Sequence, residues 1–148
     1  MPENHALKSI LLVDDNRDDY EATLRSFHKS SLMNPLYWCK SGQDALDYLH
    51  KEGAYGDNRD PLPGIILLDL NMPGIDGRKV LEILKKDSVF KKIPIIILTT
   101  SADEKNVDKC YELGASTYIQ KPVGFDGLIQ ATNRIKEYWF GIALLPGE

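Results

Sequence analysis

Apolar residues fall along this chain in short unbroken clusters, separated by longer stretches in which they recur every third or fourth position. The clusters read as β-strands at residues 9–13, 36–40, 65–69, 95–99 and 117–120. The first, third and fourth, of which Ile65-Ile66-Leu67-Leu68 is typical, show no polar alternation, so they are expected to lie buried on both faces in the middle of a parallel sheet. Helices are expected to begin near Asn16, Ser41, Asp76, Ser101 and Gly124, with capping boxes at Ser41-Gly42-Gln43-Asp44 and Ser101-Ala102-Asp103-Glu104. The second helix would bury Ala45, Leu46 and Leu49. The fourth would bury Val107, Cys110, Tyr111 and Leu113 and stop at Gly114. The last would run over residues 125–139, with Leu128, Ile129, Ile135, Trp139 and Ile142 at helical spacing before Pro146. Five strand–helix pairs of this kind predict an α/β fold with a doubly wound five-stranded parallel sheet.

Residues 53–64, dense in Gly, Pro, Asp and Asn, read as a polar surface loop available for partner contact rather than a linker. The 148 residues are therefore expected to form one domain, with nothing left over for an output module. A 43% hydrophobic, 27% charged composition is that of an ordinary soluble domain. The net charge of -4 supplies no excess of Lys and Arg to displace counterions from phosphates, which argues against nucleic acid as a partner. Cys39 and Cys110 lack the close spacing of metal or redox pairs and read as small buried hydrophobes. The first eight residues lack the apolar core of a secretory signal and no stretch is long enough to span a bilayer, so a cytoplasmic protein is expected.

Charge placement changes this picture from a generic α/β domain to one with chemistry. The first strand ends in Asp14 and Asp15 and the third ends in Asp69, so two central strands would carry three carboxylates to one rim of the sheet. Ligands of such sheets gather outside the carboxyl ends of the strands, where Thr99 and Lys121 would also fall. Carboxylates about 4 Å apart repel by roughly 4 kcal/mol per pair at an effective dielectric near 20, so the cluster needs a cation or shared protons. Mg²⁺ suits it, because that ion takes one or two carboxylates and completes its sphere with water and phosphate oxygens. Asp69 is the best-placed nucleophile for forming an acyl phosphate. Thr99 could donate its hydroxyl to a phosphoryl oxygen, and Lys121, stiffened by Pro122, could present a point charge. Taken singly, Asp14 and Asp15 could be helix caps, Asp69 a turn residue, Thr99 a strand former and Lys121 a solvated surface residue. The isomer of the Lys121–Pro122 bond is left open by the sequence.

Asp14-Asp15 after the first strand, Leu67-Leu68-Asp69-Leu70-Asn71-Met72-Pro73-Gly74-Ile75-Asp76-Gly77, Leu98-Thr99-Thr100-Ser101 and Gln120-Lys121-Pro122 together resemble the response-regulator receiver domains of two-component signalling. The resemblance covers almost the whole chain, and the separations of thirty residues from Asp69 to Thr99 and twenty-two from Thr99 to Lys121 are similar to the family's. It implies a flavodoxin-like receiver fold in which Asp69 accepts phosphoryl from a histidine kinase. Asp15, Asp69 and the backbone carbonyl of Asn71 would hold Mg²⁺, with Asp14 acting mainly through water. Lys121 would contact the phosphoryl group, Thr99 would turn toward it, and Tyr118 would move inward as the paired aromatic of a switch. Asn71 and Ser101 would occupy positions that tune dephosphorylation. The long loop and the ending from Tyr138 to Pro146 resemble the small regulators that partner phytochrome-type histidine kinases. That likeness implies a homodimer through the apolar last helix. No catalytic turnover beyond self-phosphorylation and dephosphorylation is implied.

Two other chemistries fit less well. A haloacid dehalogenase-type phosphatase needs a general acid two residues after its nucleophile, where this chain has Asn71. A flavodoxin must cradle a cofactor phosphate after its first strand, where Asp14-Asp15 would repel it. A degenerate interaction module lacking the chemistry would not be expected to retain all of the acids, the hydroxyl and the lysine.

Overall fold

The structure, a computed structural model, describes residues 7–147. Five parallel strands form one sheet in the order β2-β1-β3-β4-β5. They are β1 (Ile10–Val13), β2 (Leu36–Cys39), β3 (Ile65–Leu68), β4 (Ile95–Thr99) and β5 (Thr117–Gln120). The helices between and after them are α1 (Arg17–Lys29), α2 (Gly42–His50), α3 (Gly77–Lys86), α4 (Glu104–Glu112) and α5 (Phe125–Trp139). β1, β3 and β4 are buried at every position, as their unbroken apolar runs predict, while β2 and β5 form the partly exposed edges.

Alternation along the strands sorts the core into two layers. Leu11 and Val13 of β1, with Ile66, Leu68, Ile95 and Ile97, pack against Ala45, Leu46 and Leu49 of α2, Val80, Leu81 and Leu84 of α3, and Cys110 of α4. Ile10, Leu12, Ile65, Leu67 and Ile96 face the other way, onto Phe27 of α1 and Ile135 of α5. Burying such side chains stabilises by roughly 1.5–3 kcal/mol each. Ser26 of α1 and Thr132 of α5, both buried, share a 2.9 Å hydrogen bond where these two helices meet.

Asn16, Ser41 and Asp76 cap α1, α2 and α3, each accepting from backbone N–H groups of the first turn, and Gly124 precedes α5. The predicted start of the fourth helix needs correction. Asp103, not Ser101, is its N-cap and accepts from Lys105 N, while Ser101 Oγ accepts from Asp103 N and from Asn106 Nδ2. The buried face predicted for that helix is narrower too: Cys110 is fully buried, Val107 and Leu113 are half-buried, and Tyr111 is exposed. Tyr111 turns its hydroxyl to accept from Tyr118 N at 3.1 Å. Gly114 ends the helix with φ +108°, a conformation costly for a side-chain-bearing residue. Residues 53–64 are less peripheral than their composition suggests. A 3₁₀ turn at Gly53–Tyr55 opens the segment, Tyr55 and Leu62 pack on the core, and Pro63 and Gly64 are buried. Ile142, which the sequence puts at the helical spacing of the last helix, lies beyond the end of α5 and is exposed. No described peptide bond is cis, so Lys121–Pro122 is trans. The first six residues, on which the reading of the N-terminus partly rests, lie outside the described residues.

Candidate functional site

The strand order places β1 and β3 side by side at the point where the chain turns outward in opposite directions, and loops leaving such a point diverge to leave a crevice. Backbone bonds carry the sheet one residue past its formal ends there. Asp14 N donates to Cys39 O at 3.1 Å, Asp69 N donates to Val13 O at 2.9 Å, and Lys121 N donates to Thr99 O at 2.6 Å. Asp14, Asp69 and Lys121 are therefore each held by a neighbouring strand rather than by a free loop.

Asp14, Asp15 and Asp69 converge: one carboxylate oxygen from each lies within 4.8 Å of the others. Asp14 and Asp69 are buried and Asp15 is exposed, so the cluster has a closed side and an open one. Neither Asp14 nor Asp15 caps a helix; that task falls to Asn16, whose own N–H is bound by Asp14 Oδ1 at 2.9 Å. Lys121 Nζ reaches into the cluster, 3.0 Å from Asp14 Oδ2 and 3.4 Å from Asp69 Oδ2. Burial raises the Asp14 carboxyl to about 6, against the lowering effect of the Asn16 N–H and of Lys121. For Lys121 burial acts to lower the ammonium pKa, but hydrogen bonds to Asp19 and Asp14 and the charge of Asp69 outweigh it and hold the group above its ordinary range.

Thr99 is fully buried, and its Oγ1 accepts from Asn71 Nδ2 at 3.4 Å. Asn71 N in turn donates to Asp69 Oδ1 at 3.4 Å. Tyr118 stands off from the carboxylates. Its ring packs against the core and its hydroxyl donates to Ser101 O at 2.8 Å, so it engages the segment that follows Thr99.

One participant escapes the strand-end reading. Asp19, in the first turn of α1, accepts from Lys121 Nζ at 2.6 Å, the shortest of the lysine's three carboxylate contacts. A helix-periodicity signal could have found it, since Asp19, Thr23, Ser26 and Phe27 recur at the spacing of one face, of which the last three are buried.

The donor set fits a hard divalent cation: several carboxylate oxygens, a wet side, and a lysine that offsets only part of the negative charge. A parallel α/β sheet carrying an acid cluster, a hydroxyl and a lysine at its carboxyl end is suited to handling a phosphoryl group. Residues 10–133 match the response regulator receiver domain, and the chain belongs to that family. Receiver domains bind a divalent metal at the acidic pocket and partner with sensor histidine kinases.

Similarity extends well beyond the motifs. The chain is 34% identical over 144 residues to the response regulator Rcp1 of Synechocystis sp., covering 97% of each protein. It is 35% identical over 138 residues to a probable methanogenesis regulatory protein, FilR2, of Methanothrix harundinacea, covering 93% of this chain and 87% of that one. The crystal structure of the phosphorylated cyanobacterial phytochrome response regulator RcpA superposes with a TM-score of 0.88 at 37% identity, covering 96% of this chain and 100% of that one. A crystal structure of Rcp1 in its Mn²⁺-bound form superposes with a TM-score of 0.85 at 34% identity, covering 95% and 99%. No helix among the described residues is long and apolar enough to cross a membrane.

Proposed function

We propose that Asp69 is the phosphoacceptor of a Mg²⁺-dependent switch. The observation that carries this reading is the convergence of Asp14, Asp15 and Asp69 around one point with the Lys121 ammonium inside hydrogen-bonding reach of Asp69. Asp15, Asp69 and the Asn71 carbonyl would hold Mg²⁺, with Asp14 acting through water. The bound cation would offset the charge of the transferring phosphoryl group.

An Asp69 carboxylate oxygen attacks phosphorus of a kinase phosphohistidine. The new O–P bond forms as the P–N bond breaks, and the imidazole leaves with the electron pair. Lys121 neutralises charge gathering on the phosphoryl oxygens. Thr99 exchanges its long contact with Asn71 for one of those oxygens, and the segment that Tyr118 grips through Ser101 O moves with it. Tyr118 thus passes the chemical event to the surface around β5, with Asn71 and Ser101 setting how long the acyl phosphate lasts. The protein performs this chemistry on itself and turns over no separate substrate.

Similarity to the phytochrome response regulator RcpA supports a phytochrome-type histidine kinase as the partner. Homodimerisation through the face of the C-terminal helix is supported by the exposure of Tyr138 in the last turn of α5 and of Ile142 and Leu144 in the segment that follows it. Light scattering at micromolar concentration tests it, and a monomer would sink it. The test of the main reading is intact mass after incubation with acetyl phosphate and Mg²⁺. Wild type should gain one hydroxylamine-labile phosphoryl group and Asp69→Asn none. A gain that persists in Asp69→Asn would remove Asp69 from its role.

A further inference from the structure

Lys121 Nζ has three N–H donors, and three carboxylates surround it: Asp19 at 2.6 Å, Asp14 at 3.0 Å and Asp69 at 3.4 Å. The ammonium therefore sits closest to an acid outside the cluster of Asp14, Asp15 and Asp69 and the most open to solvent of its three partners, Asp19 being 39% exposed at its side chain. Asp19 is itself aimed rather than loose. Its N–H donates to Asn16 Oδ1 at 3.0 Å and its carbonyl accepts from Thr23 Oγ1 at 2.7 Å, so both ends of its backbone are held in the first turn of α1. A cavity of about 260 Å³ between α1 and α5 borders Asp14, Asp19 and Lys121, which leaves the lysine side chain room to shift.

We propose that Asp19 is a positioning residue that tethers Lys121 toward α1 in the resting protein and competes with the phosphorylated Asp69 for the same ammonium. The inference rests on the reading of Asp69 as phosphoacceptor. When Asp69 becomes an acyl phosphate it offers new anionic oxygens, and Lys121 must give up part of its contact with Asp19 to reach them. A ligand that binds the resting state better than the phosphorylated one shifts the balance toward rest, and a tethered carboxylate acts in the same way. Asp19 therefore shortens the lifetime of the phosphorylated state and slows entry into it.

Neutralising the tether without changing its shape, in Asp19→Asn, is expected to speed phosphorylation by acetyl phosphate about fivefold and to slow loss of the phosphoryl group by a similar factor, the size expected for a partly solvated charge-assisted contact. Asp18, the exposed neighbour on the same turn, provides the control for net charge. Asp18→Asn should behave as wild type, and Asp19→Glu, which keeps the charge within reach of Lys121, should return most of the way to wild type. Affinity for beryllofluoride in Mg²⁺, which copies the acyl phosphate without a chemical step, should rise about fivefold in Asp19→Asn alone. Equal rates in Asp19→Asn and wild type, an Asp18→Asn as fast as Asp19→Asn, or an Asp19→Glu indistinguishable from Asp19→Asn would each overturn the tether. A wild type that takes neither acetyl phosphate nor beryllofluoride overturns the phosphoacceptor reading itself and the tether with it, which separates the two failures.

Discussion

The indole nitrogen of Trp38 donates a 2.7 Å hydrogen bond to the backbone carbonyl of Asp14. The same ring stacks on Tyr20 of α1 with centroids 4.4 Å apart and planes 6° from parallel. An edge strand is thereby tied to the acid cluster on one side and to the first helix on the other. Trp139 lies in the second core layer with Phe140 and Leu145, away from the carboxyl end of the sheet.

Mg²⁺ binding is expected to change the fluorescence of Trp38 and not that of Trp139, because drawing the carboxylates around a cation shifts the Asp14 backbone to which the indole is bonded. Titrating Mg²⁺ into Trp38→Phe and Trp139→Phe separates them. The signal should vanish in the first variant and survive in the second, and a response carried by Trp139 would contradict the geometry.

Asp14 makes stability depend on pH with a definite sign. Burial raises its carboxyl from 3.8 to about 6 in the folded chain, so between those values the folded state holds more protons than the unfolded one. Its contribution to stability therefore falls as pH rises from about 4 to about 6 and stays low above that, with a span on the order of 2 kcal/mol. Asp14→Asn is expected to stabilise the metal-free protein by about 1 kcal/mol at neutral pH and by nearly nothing near pH 4. Mg²⁺ should raise the melting temperature of wild type at neutral pH and much less below pH 5, where the proton occupies Asp14. Urea denaturation at the two pH values checks the first statement and thermal melts the second. Equal stabilisation at both pH values would exclude the buried charge as the cause.

The parts of this molecule that were legible in the sequence are those where one physical demand outweighs the rest. Ile65-Ile66-Leu67-Leu68 could only be satisfied by burial on both faces, and an acid directly after such a run must emerge at the rim, so β3 and Asp69 were both visible. Ser101 misled because serine and aspartate cap helices about equally well. With Ser101 and Asp103 two residues apart, tertiary contacts decided, and Asn106 Nδ2 drew Ser101 Oγ into the loop instead. Asp19 was hidden by its position, since acids are favoured in any first helical turn for their interaction with the helix dipole, and only its spacing from the buried Thr23, Ser26 and Phe27 marks it as the acid that reaches across to Lys121, just past β5. Tyr55 and Leu62 were hidden in the same way, two apolar anchors inside a segment whose composition is that of a surface loop.

Gly77, the first residue of α3, has no room for a side chain. A Cβ there would run into the Asp69 carbonyl oxygen and lie 2.7 Å from Leu70 Cα, both of them backbone atoms that cannot rotate away. Gly77→Ala is therefore expected to cost about 2–3 kcal/mol and to push the Asp69 segment out of register with Asp14 and Asp15. Metal affinity should fall in parallel, measured by titration calorimetry, whereas Gly147→Ala, where nothing lies within 4 Å of the added atom, should leave both quantities unchanged.

A chain of polar contacts fixes the segment after Thr99. Arg78 of α3 donates from Nε and Nη2 to Asn106 Oδ1 at 3.1 and 2.9 Å. Asn106 Nδ2 donates to Ser101 Oγ at 3.1 Å, and Tyr118 Oη closes the set on Ser101 O at 2.8 Å. The groups come from α3, α4, β5 and the intervening loop, so the loop is held from three sides in its resting position. Removing the Tyr118 hydroxyl leaves the ring in place against the core and frees one carbonyl. Tyr118→Phe is expected to cost about 1 kcal/mol, the usual worth of a neutral hydrogen bond, and to raise amide exchange at residues 101–104. Asn106→Ala breaks two links at once and should raise exchange over the same residues further, with α1 and β1 protected as in wild type. Hydrogen exchange read by mass spectrometry checks both variants. An effect spread evenly over the sheet would mean that the contacts stabilise the whole fold rather than hold this segment.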